Sequence, residues 1–103
     1  MFEMSRLSMT GGVCATLDEI PALKNLIYGC LARHKAGDWG DVDEHDRQAN
    51  QDALADKQRV LSAYLLPEPT HVPTNNGQRT ETNIWIITDA GWGTTTLLWP
   101  SEY

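Results

Sequence analysis

His34-Lys-Ala-Gly-Asp-Trp-Gly-Asp-Val-Asp-Glu-His-Asp-Arg-Gln-Ala-Asn50 joins two helical patterns and holds the densest group of polar residues in the chain. Upstream of it, Leu23, Leu26, Ile27, Cys30 and Leu31 recur at i, i+3, i+4, i+7 and i+8, the one-sided stripe of an amphipathic helix. Lys35 suits the negative end of the helix dipole and Gly37 a left-handed stop, so a helix is expected over 22–36. Downstream, Asp41 reads as an N-cap, with Glu44 three residues on and Asp43 and Asp46 in the first turns. This opens a second helix over 42–57, whose apolar stripe of Val42, Ala49, Ala53 and Leu54 is thin and leaves a broad wet face.

Working outward, residues 59–66, 83–89 and 94–99 are rich in β-branched and aromatic residues and bounded by Pro or Gly, the pattern of strands. A further strand is possible over 8–15, with Gly11 and Gly12 as a bend or bulge. Ahead of it, residues 1–8 read as a loose leader. Thr16-Leu-Asp-Glu19 has capping-box spacing, and Pro21 fits the first turn of the helix that follows. Ala90-Gly-Trp-Gly93 reads as the tight link of an antiparallel hairpin with Trp92 at its tip. The longer link over 67–82 is either a mobile loop or a protruding ribbon turning at Asn76-Gly77. The expected fold is one α+β domain over 1–103, with two helices on a three- or four-stranded antiparallel sheet.

Seven of the fourteen carboxylates (Asp38, Asp41, Asp43, Glu44, Asp46, Asp52 and Asp56) fall between positions 38 and 56, with Arg47 as the internal counter-charge. The net charge of −6 and the scatter of the eight Lys and Arg argue against binding a phosphate backbone directly. An acidic face meets basic partners, although the same charge also serves solubility. Cys14 and Cys30 are too few for a disulfide framework, no run reaches the length of a membrane span, and residues 1–9 carry no signal-peptide pattern. The expected compartment is the cytoplasm.

The most specific stretches are Gly37-Asp-Trp-Gly-Asp41, Asp46-Arg47, Asn50 and Leu98-Trp-Pro-Ser-Glu-Tyr103. With Arg59-Val-Leu-Ser-Ala-Tyr-Leu-Leu-Pro67 and Asn83-Ile-Trp-Ile-Ile-Thr-Asp89, they make residues 13–103 resemble a family of small proteins of unassigned function carried on bacterial plasmids and other mobile elements. The 67–82 link and Ala90-Gly-Trp-Gly93 depart from that family, which bears on partner specificity rather than fold. The resemblance implies a protein that aids a plasmid or phage, such as a counter-defence inhibitor of the anti-CRISPR or anti-restriction type. Its partner would be a basic host protein or nucleoprotein complex.

The candidate partner-binding residues are Asp38, Trp39, Asp41, Asp43, Glu44, Asp46 and Trp92, two rings among acids that no core requirement explains well. Trp39 is equally able to plug the junction between the helices, while Trp85 reads as core. Arg47 and Asn50 are expected to hold the acidic loop and its backbone, with Arg47 tied to Asp41 and Asp43. Cys30 and His34 lie one helical turn apart and with Cys14 or His45 have zinc-ligand chemistry, but they continue the apolar stripe and read as core residues. The aspartates lack the Gly and Glu positions of a calcium loop. No metal or other cofactor is expected. Two alternatives to a binding module stand: a small enzyme using His34 or His45 with neighbouring carboxylates, and a homodimer built on an exposed sheet edge.

Overall fold

From Val60 to Thr88 the chain is a long antiparallel hairpin, β2 (Val60–Thr74) and β3 (Gly77–Thr88). The computed structural model describes residues 6–74 and 77–103. Before the hairpin come β1 (Leu7–Met9), α1 (Gly11–Glu19), α2 (Leu23–Lys35) and α3 (Glu44–Asp56), and after it β4 (Thr95–Leu98). Short 3₁₀ turns cover Ala90–Trp92 and Pro100–Glu102. The strands form one sheet in the order β1-β4-β3-β2.

The fold is therefore α+β, with two corrections to the expected layout. A third helix is present, and the sheet is mixed, because β1 runs parallel to β4 with Leu7 opposite Thr95. The strand expected over 8–15 ends at Met9, where Thr10 becomes the N-cap of α1 by accepting a hydrogen bond from the Val13 N–H. Thr16, expected to open a capping box, is instead buried inside α1 and donates its hydroxyl to the Gly12 carbonyl. Gly12 explains why a poor helix former stands in a first turn: a Cβ there would strike the Glu102 carboxylate and crowd the Trp99 ring. The glycine lets α1 approach the turn that follows β4.

Within the expected 67–82 link, Thr70–Thr74 pair with Gly77–Glu81. Its register shifts between Leu65 and Thr70, at Pro67-Glu-Pro69, so the distal part bends over the core. The proposed turn at Asn76-Gly77 lies partly outside the described residues, as do residues 1–5 of the expected leader.

Side chains alternate across the sheet as a strand period of two requires. Tyr64, Leu66, Ile84, Ile86 and Leu97 pack on Val13 and Leu17 of α1 and on Ile27, Cys30 and Leu31 of α2, with Trp99 and Val72 closing the ends. Fully burying each large apolar side chain stabilises by about 1.5–3 kcal/mol. The other parity, Leu61, Ala63, Leu65, Asn83 and Trp85, faces away from α1 and α2. Leu65 is exposed, and Leu61, Asn83 and Trp85 are only half-buried.

Candidate partner-binding surface

The segment 37–41 runs along the outer edge of β2 and satisfies its unpaired backbone. Asn50 donates its amide to the Leu61 carbonyl at 2.6 Å and accepts the Leu61 N–H at 3.0 Å. One pleat further on, the Ala63 N–H reaches the Trp39 carbonyl (3.1 Å) and the Asp41 N–H the Ala63 carbonyl (2.6 Å). Another pleat on, the Leu65 N–H donates to Asp41 Oδ2 at 2.8 Å. These groups would otherwise form an open strand edge. Gly40 is required here: its φ is +71°, and a Cβ would collide with the Ala63 carbonyl and the Tyr64 ring. The Tyr64 hydroxyl donates to the Asp38 carbonyl at 2.7 Å, and burial pushes that phenol's pKa up.

Asp38 is exposed at this corner and pairs with Arg33, Nε to Oδ2 at 2.7 Å; that hydrogen bond holds its carboxyl below the usual range. Trp39 is 1% exposed, packed with Ala53 and Val60 and edge-on to His34 at 5.7 Å, so it plugs the helix junction and is no surface anchor. Trp92 is half-buried rather than an exposed tip: its indole N–H donates to the Gln58 carbonyl at 3.1 Å, and the Lys57 ammonium lies 5.7 Å from the ring centre.

The cap of α3 is Asp43, not Asp41, since the Asp43 carboxylate accepts the Asp46 N–H at 2.8 Å. Lys57 in the left-handed conformation ends the helix. Arg47 does not tie down Asp41 or Asp43 through its side chain. It faces Glu44 at 3.5 Å with both groups exposed, a pair of the kind worth at most about 1 kcal/mol.

His34 is wholly buried, with Nδ1 on the Ser62 hydroxyl and Nε2 on Thr88 Oγ1 at 2.8 Å; Thr88 in turn meets Thr95 Oγ1 at 2.8 Å. Burial lowers its pKa to about 4, so the ring is neutral near pH 7. Both nitrogens are engaged inside the core, which takes His34 out of reach of an external substrate or a metal ion. Cys30 is buried beside the same helix stripe, with its thiol pKa raised by desolvation. Among the described residues no three His, Cys, Asp or Glu side chains gather as a metal site. His45 is exposed on α3.

Three of the seven candidate residues do come together. Asp41, Asp43 and Asp46 border two adjoining hollows of about 340 and 330 Å³ that share Asp46, Leu61 and Trp85. The floor is the uncovered parity of the sheet, Leu61, Ala63 and Trp85, and the far end is closed by Arg59 and Tyr103. Tyr103 meets Trp85 edge-on at 5.6 Å and accepts a hydrogen bond from Arg59 at 2.6 Å. Glu44 stands outside this groove on the first turn of α3. Trp85 and Tyr103 were not among the sequence candidates; the signal for Trp85 was its parity, opposite to Ile84 and Ile86. Compared with protein-family models, curated proteins and solved structures, the chain matches none. Among the described residues no helix is long and apolar enough to cross a membrane.

Proposed function

We propose that the protein is a non-enzymatic module that binds a basic protein or nucleoprotein partner through the Trp85 groove and the carboxylates of α3. The supporting observation is the groove itself: a half-buried indole on an uncovered sheet face, bordered by Asp41, Asp43 and Asp46. Asp46 has no ion-pair partner among the described residues, and its charge is available to a partner. A large ring in a partly desolvated pocket is the usual centre of binding energy, while surrounding charges steer encounter. The finer reading, an inhibitor of a host nucleic-acid-binding complex acting for a mobile element, rests on the family resemblance alone.

The test compares the full chain with Trp85→Ala and with the double variant Glu44→Lys, Asp46→Lys as immobilised baits. A Lys- and Arg-rich protein retained by the native chain should leave Trp85→Ala through faster dissociation. It should fail to associate with the charge-reversed bait, and the native association rate should fall as salt rises. Equal retention of the same proteins by all three folded baits would sink the reading.

A further inference from the structure

A second hollow, sharing no residue with the Trp85 groove, lies where the α1–α2 corner meets the bend in β2. Its volume is about 380 Å³, within the roughly 300–1,000 Å³ of pockets that bury apolar ligand groups. Ile20, Leu23 and Leu26 line one side and Pro67 and Pro69 the other. Ile20 is 38% exposed, and Leu23 and Leu26, although on the apolar stripe of α2, are only half-buried. The helix stripe thus runs past the edge of the core into an open apolar slot.

Two features of the walls select the occupant. Pro67 and Pro69 have no N–H, so this stretch of the β2 edge is unable to donate to an added strand at those positions. An added strand would leave its carbonyls there unmet, which favours an occupant that satisfies its own backbone, as a helix does. Glu19 and Glu68, both exposed, also line the slot and have no ion-pair partner among the described residues. They favour an occupant with cationic groups beside its apolar ones.

We propose that this groove docks an amphipathic helical segment of a partner protein, with aliphatic side chains entering between Leu23, Leu26 and Pro69 and flanking Lys or Arg side chains meeting Glu19 and Glu68. The mode is helix in groove, read by anchors one turn apart. It is independent of the Trp85 groove, and either surface can fail without the other.

The test titrates the full chain with a lysine-leucine peptide of roughly fifteen residues, long enough to form a helix, with leucines spaced i, i+3, i+4 and i+7. A scrambled peptide of the same composition and a glutamate-for-lysine version serve as controls, with backbone NMR shifts and calorimetry as readouts. The patterned basic peptide should bind at least tenfold more tightly than either control and shift resonances within 19–26 and 67–71. Ile20→Glu should weaken it tenfold or more. Glu19→Lys with Glu68→Lys, at positions outside the core, should weaken it severalfold in a salt-dependent way. Circular dichroism checks that each variant is folded. Equal binding of the scrambled peptide would overturn the proposal in favour of plain charge attraction, and equal binding of the acidic peptide would overturn the charge argument. Shifts confined to Asp46 and Trp85 would assign the peptide to the other groove. A dimer of the free chain in sedimentation equilibrium, dissolved by Ile20→Glu, would make a second copy the occupant and also overturn it.

Discussion

The acidic segment divides at Val42 into two stretches, both carrying carboxylates, with opposite employment. In residues 37–41 a carboxylate, a glycine and an indole all serve folding: Asp41 caps the Leu65 N–H, Gly40 lets the chain touch β2, and Trp39 fills the junction. From Asp43 to Asp56 the carboxylates point into solvent, and apart from the cap at Asp43 the fold makes little demand on them. Local density of charge therefore says little about purpose. What separates them is whether a group meets the open edge of β2, as residues 39–41 and Asn50 do and the carboxylates of α3 do not.

The difference is sharpest in stability, and the largest effect should come from the buried ring. Trp39→Ala should cost about 3–5 kcal/mol in chemical denaturation, the range for deleting a large core aromatic, whereas a loss under 1 kcal/mol would mean that the junction collapses to fill the space.

Acid should act next, through His34. The folded state holds this imidazole at a pKa of about 4, while the unfolded chain binds the proton near 6.5. The stabilising difference is thus complete above about pH 6.5 and is lost as pH falls from there toward 4, by roughly 3 kcal/mol in all. Proton NMR should show the His34 ring neutral down to pH 5 in the folded protein. A ring that titrates near 6.5 would remove this account of acid sensitivity.

A smaller loss is expected at Asn50, whose removal orphans both backbone groups of Leu61. Asn50→Ala should cost about 1–3 kcal/mol and speed amide exchange at Leu61. Unchanged protection there would show that the edge is sealed by other means. At the bottom of the series, Asp46→Ala should fall within about 0.5 kcal/mol of the native chain, as surface changes do. If its thermal midpoint drops as far as that of Trp39→Ala, the two stretches of the segment are not differently employed.

The sequence carried the helices and strands with a strong period. The stripe from Leu23 to Leu31 led to α2, and the β-branched runs led to three strands whose cores match the sheet. α1 was missed because Gly11-Gly12 looks like a break until the closeness of Glu102 and Trp99 is known. The parallel β1–β4 pair was out of reach for the same reason: it depends on residues almost ninety positions apart, as in Leu7 and Thr95. At the site, Asp41, Asp43 and Asp46 are legible as a charged group, whereas Trp39 reads equally as an anchor or a plug and Trp85 reads as core. Trp39 lies among polar residues and is buried; Trp85 lies between isoleucines and is half-open. Alternation shows that Trp85 and Ile86 face opposite ways, yet only the placement of the helices decides which face is covered.

The link between Thr10 and Glu102 bears on the order in which the molecule can assemble. The N-cap hydroxyl of α1 donates to a carboxylate that also accepts the Trp99 N–H, and Thr95 donates its N–H to the Arg6 carbonyl. During synthesis, α2, α3 and the β2–β3 hairpin can meet as soon as they emerge. α1 can already pack on Tyr64 and Leu66 of β2, whereas β1 has no sheet edge until residues 95–97 arrive. Such long loop closures are entropically slow. β1 is therefore among the last of these elements to find its place.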